Sequence, residues 1–218
     1  MKKDTLIFDL DGTLLDTLEG LKDGFNYAIT KFGYPPRTLD EVRSFVGNGI
    51  KIALKLCLPD NVDEKEFEKI VEIFKIYYIE HSEETTKIYD GILDTLKLLH
   101  DKGYKIAVVS NKYDDAVKEL CRNYFNGLID FAIGEGYGTE RKPNPNGVYK
   151  AIKALNSSVD KSLYIGDSEV DILTAKNADI PCISVLWGFR EKEFLIKNGA
   201  EIFAKNAKEL TDIIENFK

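Results

Sequence analysis

The apolar positions of the chain fall into two regimes. Residues 4 to 9, DTLIFD, form a short apolar run of β-formers that ends at the turn signal Asp11-Gly12-Thr13, which predicts a buried strand feeding a loop. From Thr17 the period lengthens. Leu18, Leu21, Phe25, Ala28, Ile29 and Phe32 recur at helical spacing until Gly33 and Pro35-Pro36 stop them. Thr38-Leu39-Asp40-Glu41 has the form of a capping box, with the Thr hydroxyl accepting from an early helix amide while Glu41 reaches back, so a short helix is expected up to Gly47-Asn48-Gly49. Ile50 to Leu58 predicts another helix and Pro59-Asp60 a break. Phe67, Ile70, Val71, Phe74 and Tyr77 then mark one face of a helix whose Glu- and Lys-rich side, from Asp63 to Glu84, is solvated. Residues 16 to about 85 therefore read as wholly helical.

After residue 86 helix and strand alternate. Ile92, Leu93, Leu96 and Leu99 predict a helix ended by Gly103, KIAVVS from Lys105 to Ser110 a strand, and Val117, Leu120, Cys121 and Tyr124 a helix. There follow a strand over Ile129 to Ile133, a helix from about Pro145 to Leu155, a strand over Ser162 to Ile165, a helix over Glu169 to Ala178, a strand over Cys182 to Leu186 and a last helix over Glu209 to Phe217. Strands separated by helix-length segments imply an α/β fold, a doubly wound parallel sheet with helices on both faces. The first strand belongs to that sheet. The expected organisation is thus an α/β core of residues 1–15 and 86–218, with residues 16–85 inserted as a helical domain.

Composition narrows the function classes. The 218 residues carry 30 Lys+Arg against 37 Asp+Glu, a formal charge of −7, which is the wrong sign for holding a polyphosphate backbone by counterion release and argues against nucleic acid as a partner. Cys57, Cys121 and Cys182 have neither disulfide nor zinc-site spacing and read as buried free thiols. The start holds no apolar run of signal length, because Asp4, Asp9 and Asp11 interrupt it, and no uncharged stretch approaches a bilayer span. A cytoplasmic protein with no membrane partner is expected, as a monomer or homodimer.

In an open parallel sheet, ligands bind beyond the carboxyl ends of the strands. There the sequence delivers Asp9 and Asp11 after the first strand, Ser110 and Asn111 after KIAVVS, Lys142-Pro143 in the loop after the next strand, and Asp167 and Asp171 after SLYI. Crowded carboxylates repel one another unless a divalent cation sits among them, and hard oxygen ligands select Mg²⁺. A carboxylate is also a competent nucleophile toward phosphorus, and a second one nearby can act as general acid and base. The charge spread over a transferring phosphoryl group calls for a lysine, Ser and Asn donors, and backbone amides such as those of Gly12 and Thr13.

These residues carry a resemblance. Asp9-Leu10-Asp11-Gly12-Thr13, Val109-Ser110-Asn111, Arg141-Lys142-Pro143 and Gly166-Asp167-Ser168-Glu169-Val170-Asp171 are similar, in order and spacing, to the four motifs of the haloacid dehalogenase-like phosphatase superfamily. The resemblance implies Asp9 as nucleophile, Asp11 as general acid/base, and Ser110 and Lys142 holding the phosphoryl group. It also implies Mg²⁺ held by Asp167, Asp9 and the Asp11 backbone carbonyl, with Asp171 orienting or supporting the metal. The helical insert resembles the superfamily's cap domain. Val42-Arg43 followed by Val46-Gly47-Asn48-Gly49, and Val185-Leu186-Trp187-Gly188-Phe189-Arg190, resemble phosphoglycolate phosphatases, which implies cap contacts to substrate from Arg43, Gly47, Asn48 and Gly49. Asp179 departs from that group, which usually has Gly there, but Asp tolerates the left-handed conformation better than most residues.

The expected activity is Mg²⁺-dependent hydrolysis of a small phosphorylated metabolite. A sugar-phosphate mutase, a nucleotide or pyrophosphate hydrolase, a dehalogenase and a silent phosphate-binding module are the alternatives. Several features carry plainer readings. Asn111 and Ser168 can each cap a following helix, Trp187 and Phe189 can pack under a loop, and His81 and His100 sit near helix ends as surface residues. Gly134-Glu135-Gly136-Tyr137-Gly138 does not open a helix with an acidic residue downstream, so it reads as loop flexibility rather than a dinucleotide loop.

Overall fold

The computed structural model describes residues 3–136 and 138–217. Its elements are β1 (Thr5–Phe8), β2 (Leu15–Asp16), α1 (Leu18–Thr30), α2 (Leu39–Phe45), α3 (Ile50–Leu56), α4 (Glu64–Thr85), β3 (Lys87–Ile88), α5 (Ile92–Asp101), β4 (Lys105–Tyr113), α6 (Asp114–Phe125), β5 (Phe131–Glu135), α7 (Asn146–Ala154), a 3-10 turn (Val159–Lys161), β6 (Ser162–Gly166), α8 (Glu169–Asn177), β7 (Cys182–Val185), α9 (Lys192–Lys197), β8 (Ile202–Ala204) and α10 (Ala207–Glu215). The chain divides into two units, Met1–Leu14 with Ile88–Lys218, and Leu15–Lys87.

The first unit is built on a six-stranded sheet in the order β5-β4-β1-β6-β7-β8, with every described pairing parallel. β1 lies in the middle, so Thr5, Leu6, Ile7 and Phe8 are all buried, as a strand with neighbours on both sides requires. Numbered among themselves, the strands run 3-2-1-4-5-6, and the order reverses between β1 and β6. That reversal opens a crevice at the carboxyl ends of these two strands. Below it, Ile7, Val109, Val148, Ala151, Tyr164 and Ala175 belong to one buried cluster that joins the sheet to α7 and α8.

Three features differ from the sequence expectation. A sixth strand, β8, and the short helix α9 occur between Lys192 and Ala204, where three residues of strand offer too few positions for a period to register. β4 extends to Tyr113 rather than Ser110, and its register against β5 shifts between Val109 and Tyr113. Such an irregularity re-aims side chains, and here it falls on Ser110, Asn111 and Lys112. Finally, Cys182 is half-buried rather than buried; Cys57 and Cys121 are buried, and burial pushes both thiols up to about 12.

Asp179, at φ +57°, occupies the left-handed conformation just past α8. Gly136 and Thr139 form an isolated bridge in the loop before Lys142, and Tyr137 of that loop lies outside the described residues.

The second unit is helical except where β2 and β3 form a two-stranded sheet of their own. Phe25 of α1 packs on Phe74 of α4 with ring centroids 5.0 Å apart, and Gly24 makes room, since a Cβ there would lie 2.9 Å from the Phe74 ring. The capping box of α2 is formed: Glu41 N–H donates to Thr38 Oγ1 at 3.3 Å, and Thr38 N–H donates to Glu41 Oε2 at 2.8 Å. No helix among the described residues is long and apolar enough to cross a membrane.

Candidate active site

Asp9 directly follows β1, and its N–H continues the ladder to Ile165 O at 2.9 Å. Its carboxylate is anchored through one oxygen, Oδ1, which accepts from Leu10 N–H at 2.7 Å and lies 2.8 Å from Lys142 Nζ. No donor among the described residues reaches Oδ2. Lys142 comes from the loop between β5 and α7, and Asn111 on β4 holds it there. Lys142 N–H donates to Asn111 Oδ1 at 2.7 Å, and Asn111 Nδ2 donates back to Lys142 O at 3.2 Å. The lysine then spends its three N–H donors on three partners: Asp9, Asp171 Oδ1 at 2.7 Å and the Tyr164 hydroxyl at 3.2 Å.

Asp171 sits in the first turn of α8, whose N-cap is Ser168. Its Oδ2 accepts from Asp167 N–H at 3.2 Å, Ser168 N–H at 3.1 Å and Ser168 Oγ at 2.6 Å, while Oδ1 takes Lys142 and lies 3.2 Å from the Tyr164 hydroxyl. Asp167 is held differently. Thr13 Oγ1 donates to its Oδ1 at 3.1 Å and Phe189 N–H to its Oδ2 at 2.8 Å. Two glycines admit this carboxylate: a Cβ on Gly12, at φ +85°, would lie 2.4 Å from Asp167 Oδ2, and one on Gly188 2.5 Å from the same atom.

One carboxylate oxygen from each of Asp9, Asp167 and Asp171 falls within 4.8 Å of the others, and all three residues are buried. Burial pushes the Asp9 carboxyl up to about 7, with Lys142 opposing and Asp171 reinforcing the rise. Burial, then Asp171 and Asp9, raises Asp167 well above the carboxylate range. Lys142 goes the other way: burial would lower it, but Asp171 and Asp9 outweigh that and hold it firmly cationic. Three carboxylates crowded around one ammonium form an oxygen donor set with more acidic groups than cations, which suits a hard divalent cation. Asp9 and Asp167 have the capacity to ligate it. Asp171, expected beside the metal, offers an oxygen of the same cluster and also serves Lys142 and the start of α8.

The remaining residues take distinct places. Asp11 faces Lys112, whose Nζ lies 3.1 and 3.3 Å from its two carboxylate oxygens. Ser110 Oγ accepts Lys112 N–H at 3.2 Å, which leaves its own proton available to a ligand. Gly12 N–H makes no hydrogen bond among the described residues, whereas Thr13 N–H closes a turn on Leu10 O at 3.3 Å. Two of the residues expected at the phosphate also make bonds within the protein. Thr13 supports Asp167 and closes a turn, and Asn111 spends both ends of its amide on Lys142 rather than capping a helix. In the helical unit, Arg43 lies in the last turn of α2, and Gly47, Asn48 and Gly49 form the link to α3, all half-buried.

Sequence reasoning missed Lys112, Tyr164 and the main chain of 188–189. A lysine two positions past the expected strand end at Ser110 and a tyrosine in the middle of a buried strand were the available signals, since a buried polar group needs a polar partner. Gly188 and Phe189 stand out in the sequence only as part of the 185–190 motif, and their contact with Asp167 spans about twenty residues of sequence.

Relatives place this geometry in a lineage. A Pseudomonas fluorescens phosphoglycolate phosphatase is 30% identical over 94% of this chain and 77% of its own length, and one from Aquifex aeolicus is 33% identical over 84% and 85%. A solved structure from Lactobacillus delbrueckii subsp. bulgaricus, provisionally named a phosphoglycolate phosphatase, superposes with TM-score 0.93 at 38% identity over 98% of this chain and 99% of that one. The family profile of haloacid dehalogenase-like hydrolases matches residues 6–185, and the chain belongs to that family.

Proposed function

We propose that the chain is a Mg²⁺-dependent phosphatase of small phosphorylated metabolites that works through an aspartyl-phosphate on Asp9. The observation that carries this reading is the asymmetry of Asp9: Oδ1 is pinned by Leu10 N–H and Lys142, while Oδ2 has no protein donor among the described residues. A nucleophile needs this combination, fixed in direction yet with one unshared oxygen.

The other groups fit the same chemistry. Lys142 limits the rise that burial forces on Asp9 and supplies positive charge to the phosphoryl oxygens; Ser110 Oγ and Gly12 N–H are the donors available to them. Asp11, partly exposed and steered by Lys112, is the acid that protonates the leaving oxygen and the base that then activates water. A divalent cation held by Asp9, Asp167 and the Asp11 carbonyl would, when bound, neutralise the buried carboxylates and the developing phosphoryl charge. The helical unit Leu15–Lys87 is the cap in this reading, and Arg43 and the 47–49 link are its candidate specificity residues. Phosphoglycolate is the favoured substrate, from the names of the relatives. A cytoplasmic setting suits the three free thiols.

Phosphate release from phosphoglycolate, sugar phosphates, nucleotides and pyrophosphate, each with Mg²⁺ and with EDTA, tests the reading. Release from phosphoglycolate that EDTA abolishes supports it. Turnover that persists in EDTA, or no release from any of the compounds, overturns it.

A further inference from the structure

The segment after β7 appears in the sequence as packing, yet in the structure it wraps one carboxylate. Trp187 Nε1–H donates to Thr13 O at 3.1 Å, and Thr13 Oγ1 donates to Asp167 Oδ1 at 3.1 Å. Two residues further on, Phe189 N–H donates to the other oxygen, Oδ2, at 2.8 Å. Between them Gly188 lies so close that any Cβ would meet the Asp167 side chain at 2.3 Å and Gly12 O at 2.5 Å. The segment is itself anchored at both ends, by Leu186 N–H on Ala204 O at 3.0 Å and by Arg190 Nε on Glu169 Oε2 at 2.9 Å. Asp167 is thus gripped through both oxygens from two chain segments more than 150 residues apart.

We propose that Trp187 is a positioning residue for the cation site: through Thr13 it fixes the orientation in which Asp167 offers its carboxylate to a divalent ion. The proposal rests on the reading of Asp9 and Asp167 as Mg²⁺ ligands. An indole that holds the main chain of Thr13 keeps the Thr13 hydroxyl aimed at Asp167 Oδ1. Without it the carboxylate keeps its Phe189 bond and can swing about that contact. Outer partners that orient a metal ligand typically contribute about 10–100-fold to metal affinity. Trp187 is also the one tryptophan of the chain, so selectively excited emission comes from this position.

The test is a titration of the full chain with Mg²⁺, followed in parallel by calorimetry and by Trp187 fluorescence, with Trp187→Phe, Thr13→Val and Thr13→Ser as variants and metal-free circular dichroism to confirm folding. The expected result has four parts. The unchanged protein binds Mg²⁺ with a saturable change in emission. Trp187→Phe and Thr13→Val bind about 10–100-fold more weakly. Thr13→Val loses the emission change, and Thr13→Ser, which keeps the hydroxyl, restores affinity and emission together. Unaltered calorimetric affinity in folded Trp187→Phe and Thr13→Val overturns the proposal and leaves the metal reading standing. Absence of any Mg²⁺ binding by the unchanged protein overturns both.

Discussion

Lys112 reaches Asp11 with its ammonium 3.1 Å from one carboxylate oxygen and 3.3 Å from the other, and the lysine side chain is almost wholly buried while the carboxylate is 18% exposed. A buried cation with a half-open carboxylate in front of it fixes the direction of that carboxylate without closing it off. Lys112→Met should therefore lower kcat by about 10–100-fold with little change in KM, short of the about 10²–10⁴-fold that loss of a whole acid/base group costs. Steady-state kinetics on phosphoglycolate decide it. A rise in KM at constant kcat would instead assign Lys112 to substrate binding.

Asp9→Asn retains the shape of the side chain and its acceptor to Leu10 N–H but removes the nucleophile. Phosphate release should fall by at least about 10³-fold, with secondary structure by circular dichroism unchanged. A variant with near-normal turnover would exclude Asp9 as the attacking group.

Removing the lysine has a structural as well as a chemical effect. Lys142→Met leaves Asp9 and Asp171 facing each other in the interior without their shared cation, and breaking a buried pair from one side costs about 3–5 kcal/mol. Denaturant unfolding in EDTA should show a loss of that order, and added Mg²⁺ should recover part of it by compensating Asp9.

The pH dependence follows from the direction in which the buried carboxyls are shifted. Asp9, pushed up to about 7, and Asp167, also raised, bind protons more tightly in the folded chain than in the unfolded one. Their contribution to stability is complete below the unfolded carboxylate pKa and is lost as pH rises through the folded value. Metal-free protein should lose the Asp9 share of that contribution between about pH 4 and pH 7, and Mg²⁺, which takes the ionised carboxylates, should stabilise more at pH 8 than at pH 5. Thermal melts with Mg²⁺ and with EDTA across this range measure the difference. Equal Mg²⁺ stabilisation at both ends would mean that these carboxyls are not the ones the ion engages.

How much of this was legible before folding depends on the range of the interaction. Alternating strand and helix periods are local, so the parallel sheet, the helical segment after β1 and the capping box at Thr38 and Glu41 could be read from neighbours a few positions apart. Polar residues at strand ends were legible for a similar reason: in an open parallel sheet every strand delivers its carboxyl end to the same edge, so Asp9, Lys142 and Asp167 had to approach one another. Which partner each would choose was not legible. Asp171 could not be assigned to Lys142 and its own N-cap, nor Asn111 to the Lys142 main chain, nor Lys112 to Asp11, until the register shift in β4 and the crevice between β1 and β6 set the distances. The same holds for β8 and for the Trp187–Phe189 wrap around Asp167. Periodicity and turn chemistry are properties of the chain, whereas the pairing of buried charges is decided by a few ångströms of tertiary geometry, because a carboxylate in the interior must be met at bonding distance or lose the benefit of its charge.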